Sequence, residues 1–269
     1  MPASSCCLCL NALHPASYRA LLPRGRLAHA LITDPPFLLL TPRRPRAPPT
    51  RARKLHAPEV VRFPDAAAYL AFSRAWLAAA LPHVSREGSL AIFTNALGRA
   101  PLLAACAEQG WQLEGAVPWA KYAARAGAPP PRSSASEVLL RVYETALVLR
   151  TPATARAPTH LTRGSLALLS PYADEDAAGG GEGGPHPHPH AKPRGALLPL
   201  LAALTRPGDI VLDCFAGSGA IPAAAKAAGR VGLGMELRAD WAAQAQARVL
   251  REREGAEAGA AAGHEAVQW

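Results

Sequence analysis

The sequence predicts an α/β fold, a doubly wound and mainly parallel sheet with helices on both faces. Two observations carry the prediction. Short apolar runs that suit buried strands, at residues 5–13, 27–33, 89–94, 111–121, 138–150, 209–212 and 230–235, alternate with segments of helical periodicity. One run, Val211-Leu212-Asp213, passes directly into Cys214-Phe215-Ala216-Gly217-Ser218-Gly219 and a further apolar segment, a strand, glycine turn and helix of Rossmann-like type. At 269 residues the chain is long enough for one large domain, and a hydrophobic content of 49 % is ordinary for a globular protein.

Residues 5–13 (Ser-Cys-Cys-Leu-Cys-Leu-Asn-Ala-Leu) form an apolar run expected as a buried strand. A short helix is expected over Tyr18–Leu22, then a buried strand over Leu27–Thr33, stopped by Pro35 and Pro36, which have no N–H for a ladder. Residues 38–64 change character: Arg43, Arg44, Arg46, Arg51, Arg53, Lys54 and Arg62 face one acid, Glu59, amid repeated prolines. That composition favours an extended loop. Asp65–Leu81 has helical periodicity, with Tyr69, Phe72, Trp76, Leu77 and Leu81 along one side. Ser89–Thr94 reads as a strand, Arg99–Gln109 as a helix ended by Gly110, and Trp111–Lys121 and Val138–Arg150 as further strands. Regularity disappears from Thr151 to His190, where a glycine-rich run precedes His186-Pro187-His188-Pro189-His190. Gly195–Leu204 is an apolar helix, followed by the strand Asp209–Leu212, the glycine turn, a helix to Ala228, the strand Arg230–Met235 closed by Glu236, and a charged helix over Ala239–Glu254. The expected organisation is residues 1–150 with the basic loop 38–64, a short region 151–189, a second half 190–255 and a frayed tail 256–269.

Charge and cysteine usage narrow the class. The balance of 29 Lys and Arg against 20 Asp and Glu, a net +9, suggests a polyanionic partner. Of the five cysteines, Cys6, Cys7 and Cys9 are too crowded to staple a fold, and the odd count argues for a reducing compartment. Their spacing does not suit structural zinc, so no metal is expected. No apolar run approaches the roughly 20 residues of a membrane helix. The expectation is a soluble intracellular protein, of the cytoplasm or nucleoid in a prokaryote.

Two segments carry chemistry. Gly217 and Gly219 let backbone approach a ligand closely, and the helix that follows favours a carboxylate at its N-terminus. Glu236, at the end of the next strand, suits a ribose diol, while the spacing Gly-x-Gly-x-x-Gly of a dinucleotide site is missing. Near the N-terminus, Thr33-Asp34-Pro35-Pro36-Phe37 is a stiff corner at a strand end, holding a carboxylate and a ring against a flat substrate.

With these segments in this order, the sequence resembles the amino-methyltransferases of DNA over residues 5–250, in the circularly permuted group whose catalytic motif precedes the cofactor motif. The resemblance implies a seven-stranded methyltransferase sheet and S-adenosylmethionine as cofactor. Carried over by motif, Phe215, Ala216, Gly217 and Gly219 line its methionine and adenosine, Asp213 helps place its amino group and Glu236 binds its ribose. Relatives carry two threonines after the glycines, whose hydroxyls bond the methionine carboxylate; Ala220 and Ile221 stand here, which implies either a reduced affinity or a bond supplied by Ser218. His190-Ala191-Lys192-Pro193 is similar to an element closing the methionine side, kept here in Lys192-Pro193, and Asn11 falls in the segment covering the adenine.

The resemblance also implies the substrate, a base flipped out of double-stranded DNA. Asp34 and the Pro35 carbonyl accept the amine protons, Pro36 stiffens the corner, and Phe37 stacks on the base and favours the developing cation. Aspartate at position 34 implies adenine N6, since serine there accompanies cytosine N4. Trp119-Ala120-Lys121 resembles a Trp-x-Lys element at the base pocket or a phosphate, and Tyr143-Glu144 a Tyr/His-Glu segment. Arg43, Arg44, Arg46, Arg51, Arg53 and Lys54 follow the corner and would neutralise phosphates. Residues 151–189 stand where relatives carry a target-recognition region. Cytosine N4 or RNA methylation, and a binding module that transfers nothing, stay open beside the adenine reading.

Overall fold

The protein, described here from a computed structural model, is placed over residues 4–41, 61–122, 143–153, 168–171 and 192–252. The order is β1 (Cys6–Cys9), α1 (Pro15–Leu21), β2 (Ala28–Thr33), α2 (Ala66–Ala80), β3 (Val84–Thr94), α3 (Ala96–Glu108), β4 (Gln112–Tyr122), β5 (Tyr143–Arg150), β6 (Leu168–Pro171), α4 (Arg194–Leu204), β7 (Ile210–Asp213), α5 (Ala220–Ala227), β8 (Val231–Glu236) and α6 (Ala239–Arg251). All seven expected strands form. They share one sheet with an eighth, β6, in the order β1-β8-β7-β2-β3-β5-β4-β6. Among the described residues, only β5 runs antiparallel to its neighbours, and every other strand pair is parallel.

Alternation along the central strands builds two cores. Leu31 of β2, Leu90 and Ile92 of β3, Leu147 and Leu149 of β5 and Leu212 of β7 face one way, onto Tyr18, Trp76, Leu77 and Leu102 of α1, α2 and α3. Ala30 and Ile32, Ala91 and Phe93, Ala146 and Val148, and Val211 face the other way, onto Leu197, Leu200 and Leu201 of α4 and Ile221 of α5. Strands buried on both faces explain the continuous apolar runs in the sequence. A third, smaller cluster of Cys7, Ala216, Ala223, Ala245 and Val249 seats α6 against the β1 edge.

Local chemistry sets the helix starts. Asp65 caps α2 by accepting from Ala68 N at 2.8 Å, and Asn95 caps α3 by accepting from Gly98 N at 2.9 Å. Pro15 opens α1, where its missing N–H costs nothing.

Two expectations change. The run 5–13 yields only the four residues of β1, an edge strand in which Cys7 alone is buried; Leu10 N still donates to Glu236 O at 2.9 Å, and beyond it the chain leaves the ladder through a turn in which His14 N donates to Asn11 O at 3.1 Å. Leu168–Pro171, inside the stretch expected to be irregular, pairs in parallel with β4, at a sheet edge where a proline is tolerated. Among the described residues, no helix is long and apolar enough to cross a membrane.

Candidate active site

The two motifs meet at the carboxyl ends of β2 and β7. These strands are neighbours, with Ala30 opposite Val211 and Leu31 opposite Leu212. Their outgoing chains therefore part around a crevice, the position where α/β sheets bind ligands. Thr33, buried at the end of β2, joins the halves: its Oγ1 donates to Asp213 Oδ1 at 2.7 Å and accepts from Cys214 N at 3.2 Å.

Asp213 is 1 % exposed. Its Oδ1 accepts a second bond from Phe215 N at 3.1 Å, while Oδ2 is buried without a hydrogen-bond partner among the described residues. Burial lifts this carboxyl to about 7, against the lowering effect of the Thr33 and Phe215 bonds and with added repulsion from Asp34 and Glu236. A buried carboxylate oxygen with no donor is an acceptor for a cationic or amide group arriving from the crevice.

Beyond Asp213 the turn is held by backbone. Ala216 N donates to Met235 O at 2.9 Å and Gly219 N to Ala216 O at 2.7 Å. Gly217 and Gly219 have φ of +48° and +74°, and a Cβ on Gly219 would lie 2.8 Å from Ala245 Cα. Only glycine satisfies both demands at position 219. Glu236 closes the turn from β8: Oε2 accepts from Gly217 N at 3.1 Å and Oε1 from Arg238 N at 2.9 Å. Each oxygen keeps a lone pair for a diol. Asn11 lies just past β1, whose Cys9 pairs with Glu236, and its Oδ1 accepts from Leu13 N at 2.9 Å. Ser218 is buried in the turn. The Phe215 ring turns away into the core, edge-on to Trp76 at 5.4 Å, so Phe215 contributes its backbone to the turn. The orphaned Asp213 oxygen, the glycine turn and Glu236 together suit a ligand carrying both an amine and a ribose.

The second half of the site gathers around Asp34. Lys192, 5 % exposed and just ahead of α4, bonds Asp34 Oδ2 through its Nζ and lies 3.0 Å from Glu144 Oε2 on β5. Burial alone would lower its pKa; the charges of Asp34 and Glu144 overcome that and raise it. Three rings surround the ammonium, with centroids at 5.6 Å for Phe37, 5.1 Å for Phe93 and 5.8 Å for Trp119. Pro35 is buried and Pro36 half-buried behind the carboxylate. Asn95 pins the exit of the corner, donating through Nδ2 to Leu38 O at 3.0 Å.

The expected residues thus gather in two adjoining groups, Asp34, Pro35, Pro36 and Phe37 in one, and Asp213 through Gly219 with Glu236 and Asn11 in the other. Lys192, expected beside the cofactor's methionine, has its ammonium on Asp34. The backbone of Lys121 pairs with Ser170 in the β4–β6 ladder. Arg43, Arg44, Arg46, Arg51, Arg53 and Lys54, and His190, lie outside the described residues. Thr33, Asn95 and Glu144 enter the site in roles that the sequence does not assign them; Thr33 lies in the corner motif and Glu144 in the Tyr143-Glu144 segment, each without a stated partner.

Several solved structures share the fold of this chain. Among solved structures, the M1.HpyAVI complex with S-adenosylmethionine matches with a TM-score of 0.61 at 22 % identity, over 91 % of this chain and 98 % of that one. TTHA0409 from Thermus thermophilus, also complexed with S-adenosyl-L-methionine, matches with 0.60 at 20 % identity, over 93 % of this chain and 95 % of that one. The cytosine-N4-specific PvuII DNA methyltransferase matches with 0.63 at 16 % identity, over 92 % of this chain and 88 % of that one. These likenesses establish the fold. A sequence profile described as DNA methylase, for the N6/N4 methyltransferases, matches residues 28–247. By that match across most of its length, the chain belongs to the N6/N4 DNA methylase family.

Proposed function

We propose that the protein transfers a methyl group from S-adenosylmethionine to the exocyclic amine of a base flipped from double-stranded DNA, and that the base is adenine, modified at N6. The observation that carries this reading is the bond between Thr33 and Asp213 at 2.7 Å, which sets the Asp34 corner directly beside the glycine turn. Relatives of the same fold crystallise with this cofactor. Asp213 Oδ2 is suited to its ammonium, Glu236 to its ribose hydroxyls, and the N-terminal turn of α5 with Ser218 to its carboxylate. Once bound, it supplies an electrophilic methyl on a sulfonium.

The remaining work falls to this chain's side chains. An exocyclic amine is a poor nucleophile because its lone pair is delocalised into the ring. Asp34 and the Pro35 carbonyl accept its two N–H bonds, which localises the lone pair and stabilises the charge that develops on nitrogen. Phe37 stacks on the base, and Phe93 and Trp119 exclude water behind it. Aspartate at the head of the Asp-Pro-Pro-Phe corner supports adenine. The fold is neutral on that choice, since a cytosine-N4-specific relative shares it.

The test is nucleoside mass spectrometry of unmethylated DNA incubated with the protein and methyl-labelled S-adenosylmethionine. Labelled N6-methyladenine is expected, with a loss of about 10²–10⁴-fold in Asp34→Ala while cofactor binding persists. Labelled N4-methylcytosine would overturn the base. Folded, cofactor-bound protein yielding no label on DNA would overturn the reaction.

A further inference from the structure

Lys192 and Glu144 stand in the middle of the corner, and methyl transfer as derived above uses neither. The ammonium bonds Asp34 and lies 3.0 Å from Glu144, in a cage of three aromatic rings. Two carboxylates and one ammonium leave a net negative charge on a group of largely buried side chains, so the lysine is held by more charge than it carries. Its ammonium therefore offsets the charge of the carboxylate that an incoming amine needs as acceptor.

A neutral amine cannot displace an ammonium from a buried carboxylate if that leaves the ammonium unpaired, because an uncompensated buried charge is strongly unfavourable. It can do so if a second carboxylate is already in reach. Glu144 is that second carboxylate, and its backbone is fixed: on β5 it pairs with Trp119 of β4, while the same strand pairs residue by residue with β3 up to Thr94 opposite Thr145.

We propose that Glu144 is a positioning residue that takes over the Lys192 ammonium when a base amine engages Asp34. The proposal rests on the reading of Asp34 as the amine acceptor. Asp34, relieved of its cation, then faces the amine with its full charge where positive charge develops.

The experiment reads the lysine directly. The chain has four lysines, Lys54, Lys121, Lys192 and Lys226, so protein labelled with nitrogen-15 lysine gives few side-chain signals, and Lys192→Arg identifies the one at issue. The probe is a short mixed-sequence double-stranded DNA with sinefungin as the unreactive cofactor analogue, saturation being followed by fluorescence anisotropy. We expect the Lys192 Nζ signal to move when DNA binds wild type and to stay in place in DNA-bound Glu144→Gln. In parallel, Glu144→Gln should raise the KM for DNA about tenfold, the scale of one charge-assisted hydrogen bond, with sinefungin affinity unchanged and most of the loss recovered in Glu144→Asp. Bound DNA that leaves the wild-type signal unmoved, or moves it equally in Glu144→Gln, overturns the exchange. A signal that moves as expected in a protein that transfers no methyl group keeps the exchange and overturns the proposed reaction instead. No DNA binding at all overturns both.

Discussion

Replacing Asp213 by asparagine should stabilise the protein in mild alkali while weakening cofactor binding. The carboxyl is fully buried and holds its proton up to about 7, against the ordinary 3.8 that it regains when unfolded. Between those values the folded state binds more protons than the unfolded chain, so stability falls as pH rises from about 4 to about 7 and is level above. The gap corresponds to about 4 kcal/mol. Asparagine stays neutral, and its Oδ1 can accept from Thr33 Oγ1 and Phe215 N as the carboxylate does at 2.7 and 3.1 Å. Its amide nitrogen replaces the unpartnered Oδ2, and burying that donor costs about 1–3 kcal/mol at every pH. The variant should therefore gain on wild type by about 2–3 kcal/mol between about pH 5 and about pH 8, ending the more stable of the two. Guanidinium unfolding midpoints of both proteins across this range measure it. Two parallel curves would refute the assignment of an ionising, buried Asp213. Calorimetry at alkaline pH should show the opposite change in affinity for S-adenosylhomocysteine, because the amine loses its counter-charge.

Three further outcomes follow from the same geometry. Glu236→Gln removes the charge that accepts Gly217 N and Arg238 N; calorimetry should show cofactor affinity reduced about tenfold or more. Gly219→Ala places a Cβ 2.8 Å from Ala245 Cα at a φ of +74°, and chemical denaturation should record a loss of about 2 kcal/mol or more. Asn95→Ala loses both the α3 cap and the bond to Leu38 O; stability should fall by about 1–2 kcal/mol, and kcat should fall with cofactor affinity intact, since the Asp34 corner loses its anchor.

Much of this molecule is legible as pattern. The seven expected strands, α2 and the glycine turn all form, because each is a local matter of apolar periodicity or of backbone freedom at Gly217 and Gly219. Boundaries drift at element ends: β3 begins at Val84 instead of Ser89, running through Ser85-Arg86-Glu87-Gly88, and α3 at Ala96 instead of Arg99. The edge strands are hardest. Composition alone suggests a longer and more buried β1 than forms, and it does not reveal β6, since an edge strand is set by the ladder it joins rather than by its own residues.

The site divides along the same line. Asp34, Gly217, Gly219 and Glu236 stand out in sequence because their chemistry depends on close neighbours, a proline corner or a glycine turn. The bond from Thr33 to Asp213 spans 180 positions, and Lys192 reaches Asp34 across 158. No local pattern encodes such a pairing. It arises when β2 takes its place between β3 and β7, with β5 antiparallel on the far side of β3, and burial then makes each polar group find the nearest partner. Composition and spacing determined that this chain would carry a glycine turn and an acidic corner; only the strand order decided that they share one crevice, and that a lysine lies between its two carboxylates.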